Sequence, residues 1–126
     1  MNQPLPRHIR SALIAALLGA FGCGPPAQST GPDGGCVQPP ESCPSSIPSY
    51  QSRIAAIVTS RCANCHVAGG SSASWQFTNY DQTFALRQET QSQVGSCLMP
   101  PANAEPLTTE DRTALLQWLV CGAPRN

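Results

Sequence analysis

The feature that most constrains this chain is the segment Arg61-Cys62-Ala63-Asn64-Cys65-His66. Two thiols three residues apart, followed at once by an imidazole, stand on about one helical turn. Three chemistries use cysteines at this spacing. A thioredoxin-like redox pair needs a strand–helix–strand context, and no strand-type alternation surrounds the motif. Half of a zinc site needs a second ligand pair, and the sequence holds no second C-x-x-C. Covalent attachment of a c-type haem needs C-x-x-C-H alone. At that spacing Cys62 and Cys65 reach the two vinyl groups at one edge of the macrocycle, and His66 turns its ring toward the iron. The consequence for folding is direct. A small domain with long irregular loops is hard to stabilise unless something fills its middle, and a covalent haem fills it.

The compartment agrees with that chemistry. Residues 1–10 carry Arg7, His8 and Arg10 and no acid, and the apolar run from Ser11 to Phe21 follows. This run is far shorter than the ~20 apolar residues of a spanning helix. A basic start, a short apolar centre and small residues before a break describe a secretory signal over residues 1–22. The break, Gly22-Cys23-Gly24, resembles a bacterial lipoprotein signal, with Cys23 as the lipid-modified mature N-terminus. Ala20-Phe21-Gly22 lacks the usual Leu, so ordinary cleavage stays open. His66 is then the only His of the exported chain. The resemblance implies a periplasmic or outer-membrane-anchored protein, touching the membrane only through Cys23.

Residues 23–48 are rich in Pro, Gly and Ser and offer few apolar side chains, which predicts a flexible tether. Cys36 and Cys43 lie within it, and a local Cys36–Cys43 disulfide is expected. The domain proper is residues 49–126. Tyr50, Ile54, Ile57 and Val58 follow helical spacing, Arg61 ends the stripe, and the helix runs into Cys62. A second short helix is expected with Asp81 as N-cap and Phe84, Ala85 and Gln88 on one face. In the last helix Thr108 is the cap, Leu115, Trp118 and Leu119 form the apolar stripe, and Gly122 and Pro124 stop it. The expected class is all-α, with about three short helices joined by long loops.

Met99 is the only Met downstream of the signal, in Cys97-Leu98-Met99-Pro100-Pro101. Two prolines stiffen the segment and deny it a helix. Such a loop could hold a thioether sulfur against an open iron face, where Met/His ligation suits electron transfer; the alternative is a Met that only packs.

With these motifs in order, residues 50–126 resemble a small class I cytochrome c domain: a helix into Cys62-Ala-Asn-Cys65-His66, a long loop region, Leu98-Met99-Pro100-Pro101, then Leu107 to Val120 and Gly122-Ala-Pro. The resemblance implies one covalent haem c, His66 as proximal and Met99 as distal iron ligand, and first and last helices that pack near the haem edge. Ile54, Ile57 and Val58 would then meet Leu115, Trp118 and Leu119, with Trp118 in the core. Cys97 and Cys121 depart from the family's pattern. A Cys97–Cys121 disulfide is expected between the ligand loop and the last helix.

The function so implied is electron transfer by Fe2+/Fe3+ cycling, without substrate chemistry. Trp75, Phe77, Tyr80 and Phe84 are candidates to cover the haem faces or to form ordinary core. A haem enzyme or sensor with an open sixth position is the alternative, but peroxidase-type chemistry needs a general base and no second His is available. A haem-free structural or metal-binding domain is the other. From Cys23 onward five Arg stand against seven acids and there is no Lys. No basic stripe exists for nucleic acid, and a mildly acidic surface suits redox partner proteins with basic docking faces.

Overall fold

Helical backbone begins where Ser49 caps it, its hydroxyl accepting the amide of Ser52. In the computed structural model, which describes residues 36–126, the helix α1 continues to Cys62 in three consecutive pieces: π-helical Tyr50–Ile54, α-helical Ala55–Ile57 and π-helical Val58–Cys62. The expected stripe is its inner face, since Tyr50, Ile54, Ile57 and Val58 are all buried. The wider turns are visible in amides that reach back five residues, Ile54 to Ser49 and Ala63 to Val58. Wide turns of this kind are rare in helices and gather at functional sites; the second one delivers the chain into Cys62.

The last helix, α4 (Thr109–Val120), is built as its sequence predicts. Thr108 accepts the amide of Asp111 at 3.0 Å. Glu110 and Asp111 occupy the first turn, where carboxylates suit the helix dipole, and Arg53 of α1 bridges to both. Leu115, Leu116, Trp118 and Leu119 are buried. Gly122, with φ of +87°, turns the chain out of the helix, and the amide of Ala123 closes on the carbonyl of Trp118 at 2.8 Å.

Between these two the structure departs from expectation. The expected single helix is two, α2 (Tyr80–Ala85) and α3 (Arg87–Gly95), broken at Leu86. The cap is Asn79, whose side chain accepts the amide of Gln82, and Asp81 stands in the first turn instead. The inner face is also different: Thr83, Thr90 and Val94 are buried, whereas Ala85 and Gln88 are exposed. The break at Leu86 rotates the register. Thr83 and Thr90 then tolerate burial because each hydroxyl donates to a carbonyl four residues back, of Asn79 and Leu86, both at 2.8 Å.

The helices α1 and α3 both pack on α4, and one apolar cluster joins Tyr50, Ile54, Ile57 and Val58 to Val94, Leu107, Leu115, Trp118 and Leu119. Trp118 is wholly buried, as expected, and its indole donates to the carbonyl of Pro124. Among the described residues there are no strands, and no helix is long and apolar enough to cross a membrane. The expected signal over residues 1–22, the expected lipid site Cys23 and the first part of the tether lie outside the described residues.

The cysteine pairing is corrected. Cys36 is bonded to Cys97 and Cys43 to Cys121, with Cα separations of 5.9 and 5.5 Å; neither Cys36–Cys43 nor Cys97–Cys121 forms. Cys97 follows α3 and Cys121 caps α4. Residues 36–43 carry no helix or strand, and seven residues of extended chain span up to about 25 Å. They act as a strap fastened to the ends of both helices, with Ile47 packed on the core behind it. Non-reducing peptide mapping of the purified protein should return Cys36–Cys97 and Cys43–Cys121 as the linked peptides. Replacing Cys43 and Cys121 together by Ala should lower unfolding stability by up to about 4 kcal/mol in the chain-entropy picture, and a stability unchanged by that replacement would count against the strap.

Candidate functional site

The motif residues are set by the end of α1. The amides of Cys65 and His66 both bond to the carbonyl of Cys62 at 3.2 and 3.0 Å, so the chain coils tightly as it leaves the helix. It then folds back on itself. The amide of Ser72 returns to the Cys65 carbonyl and that of Phe77 to the His66 carbonyl. Gly70 is required by this return, because a Cβ there would stand 2.3 Å from the Cys65 carbonyl oxygen.

The return fixes His66. Its Nδ1 lies 2.8 Å from the carbonyl oxygen of Trp75. A carbonyl only accepts, so Nδ1 carries a proton, and in the neutral ring the lone pair is then on Nε2, the tautomer a metal ligand needs. Phe77 packs edge-on against the imidazole, with ring centroids 5.1 Å apart.

Cys62, Cys65 and His66 line a cavity of about 330 Å³, and Met99 lines the same cavity from the loop after α3. The volume is within the range of about 300–1,000 Å³ common for small-molecule sites. Phe77, Val94, Leu107, Pro100 and Pro101 give it apolar walls, and Trp75 stands at it 45% exposed. The four aromatic candidates divide. Trp75 and Phe77 line the cavity; Tyr80 and Phe84 do not, and instead stack on one another beside Tyr50 and Trp118. Cys62 and Cys65 are outside any disulfide. Burial pushes the Cys62 thiol up to about 11, opposite to the lowered value of a reactive redox thiolate. Among the described residues no three His, Cys, Asp or Glu side chains are grouped to hold a metal ion.

Two arginines at this site carry roles the sequence reading did not give them. Arg61 lines the cavity, pairs with Glu105 and keeps a buried Nε without a partner; the hydrogen bond it donates to the Glu105 carboxylate holds its guanidinium above its ordinary value, against burial. Arg112 is buried in α4 at 1% exposure, and Nη1 donates to the carbonyl of Val94 at 2.6 Å and reaches that of Met99 at 3.4 Å. Burial lowers its affinity for its proton. A signal for Arg112 was present: positions 112, 115, 116 and 119 share one helical face, so the apolar stripe carries a charge at its first position.

The Cys62 shift gives a pH prediction. A thiol raised from 9.0 to about 11 stays protonated through neutral pH, leaving about 100-fold less thiolate at pH 8. In cofactor-free protein, alkylation of Cys62 by iodoacetamide, followed by mass spectrometry, should therefore be slow at pH 8 and rise steeply toward pH 11. Rapid labelling at pH 8 would show that the thiol is not buried as described.

No protein-family model matches this chain, and no curated protein or solved structure matches it, so the functional reading rests on the residues around the cavity.

Proposed function

We propose that this chain is an exported, single-haem c-type cytochrome that passes electrons, with residues 49–126 forming a small domain of the class I cytochrome c kind. One observation carries the reading. Met99, far from His66 in sequence, lines the same cavity as Cys62, Cys65 and His66. The element order supports it as well: a helix running into the motif, a looped region, the Met99 loop and a terminal helix packed on the first.

The residues fit such a group. Cys62 and Cys65 would hold it through thioether bonds, His66 through Nε2 and Met99 through its sulfur. When bound, the group supplies one-electron Fe2+/Fe3+ exchange, and His/Met ligation favours a raised potential. The rest of the work belongs to the chain. The Trp75 carbonyl fixes the His66 tautomer and ring orientation. Phe77, Val94 and Leu107 keep water from the cavity walls, which favours the less charged, reduced state. Neither Cys62 nor Cys65 competes as a redox thiol once committed to a thioether.

The enzyme alternative has less support. His66 is the only His among the described residues, so its use as a ligand leaves no imidazole to act as a general base beside the cavity. Two disulfides fit an oxidising compartment, in line with export through the signal of residues 1–22. Reduction of a partner protein would then occur outside the cytoplasm, at a surface with few charges.

Protein produced with c-type maturation machinery should give one haem per chain by the pyridine haemochrome assay, resistant to acid–acetone extraction. The double change Cys62→Ala and Cys65→Ala should abolish that covalent attachment. Met99→Ala should keep the haem, lower the reduction potential, and raise carbon monoxide affinity of the reduced protein at least ~10-fold. A colourless product would end this reading; carbon monoxide binding as readily to the unaltered protein as to Met99→Ala would move it to the open-site alternative.

A further inference from the structure

We infer that Arg112 is a positioning residue for the sixth iron ligand: its buried guanidinium ties the backbone of Met99 to the last turn of α3, and so sets how firmly the Met99 sulfur closes the site. The inference rests on the haem reading above and adds to it a residue outside the ligand set.

The geometry starts at the end of α3. There the helix closes through two backbone bonds, Cys97 amide to Val94 carbonyl and Leu98 amide to Gln93 carbonyl, with Cys97 in the left-handed region at φ of +56°. The next amide, that of Met99, also reaches the Gln93 carbonyl, at 3.2 Å. The Met99 carbonyl accepts from Arg112, at 3.4 Å. Both backbone polar groups of Met99 are therefore held, one by α3 and one by a side chain of α4.

Arginine suits this place for two reasons. The last carbonyls of a helix lack intrahelical donors and carry the negative end of its dipole, so a cation at Val94 is favoured. The guanidinium is also a planar fork with several donors and can serve two carbonyls at once. The position is otherwise unfavourable for a charge. Arg112 shares its helical face with Leu115, Leu116 and Leu119, and a leucine there would be buried without any desolvation penalty. What a leucine could not supply is the link between α3 and Met99.

The test is imidazole titration of the ferric holoprotein, followed by optical spectroscopy. Exogenous imidazole binds only when the Met99 loop opens, so its apparent affinity reports the open fraction. Arg112→Met keeps most of the volume and removes the donors, and should raise imidazole affinity about 10-fold or more. Arg112→Lys keeps the charge with a point donor and should fall between Arg112→Met and the unaltered protein. Met99→Ala sets the upper limit. Ile54→Val, a core change in α1 away from the loop, should lower thermal stability yet leave imidazole affinity within about twofold. If Arg112→Met does not fold, judged by its helical circular dichroism, Arg112→Lys decides the matter by the same titration. Affinity of the Arg112 variants within about twofold of the unaltered protein, with Met99→Ala raised, would overturn the inference and leave the haem reading standing. Met99→Ala equal to the unaltered protein, or no covalent haem at all, would overturn the ligation reading and the inference together.

Discussion

The burial of one face of α4 is the constraint on which the rest of the structure depends. Trp118 and Leu115 have no exposed surface, and each fully buried side chain of this kind contributes about 1.5–3 kcal/mol before conformational entropy is counted. Every other element is located by reference to this helix. Tyr50 of α1 packs on Trp118, Arg53 reaches the first turn, Arg112 meets the end of α3, and Cys121 receives the strap. The cavity lies where the end of α1, the loop that follows it, α3 and the loop between α3 and α4 meet. None of the four motif residues is in α4, yet the segments that carry them are positioned by it.

Much of this was legible in the sequence. The α1 stripe, the Thr108 cap, the Gly122 stop and the Cys62-to-His66 turn follow local rules, in which a few neighbouring side chains decide the outcome. What was illegible depends on distant partners. The helix α3 reads Arg-Gln-Glu-Thr-Gln-Ser-Gln-Val-Gly and has almost no apolar stripe; two buried positions four apart, Thr90 and Val94, are enough to dock it once Thr90 satisfies its own hydroxyl. The disulfides fail for a related reason. Four cysteines allow three pairings, and spacing alone favours the local one, whereas the actual choice is made by which helix ends the strap crosses. The aromatic residues were separable only by packing, since nothing in their spacing tells a cavity wall such as Phe77 from a core stack such as Tyr80 and Phe84.

At the cavity, the long-range ties that local spacing missed lie mainly on the Met99 side. The His66 side is organised within a short stretch of chain: a helix end, a return loop, a carbonyl on Nδ1. Local sequence can encode all of that. The Met99 side is assembled from α3, α4 and the strap, through Gln93, Arg112 and the Cys36–Cys97 bond two residues before Met99. A single thioether on a loop is a weak ligand that competes with water and small bases, so its loop must be held closed by something other than the bond it makes. Under the proposed function this division has a physical sense. The cysteine and histidine contacts hold the cofactor permanently and need only local order, whereas the methionine contact is reversible and depends on tertiary order. Loosening α3, the strap or Arg112 should therefore affect the methionine side first, while the histidine side, anchored by bonds within residues 62–77, stays intact.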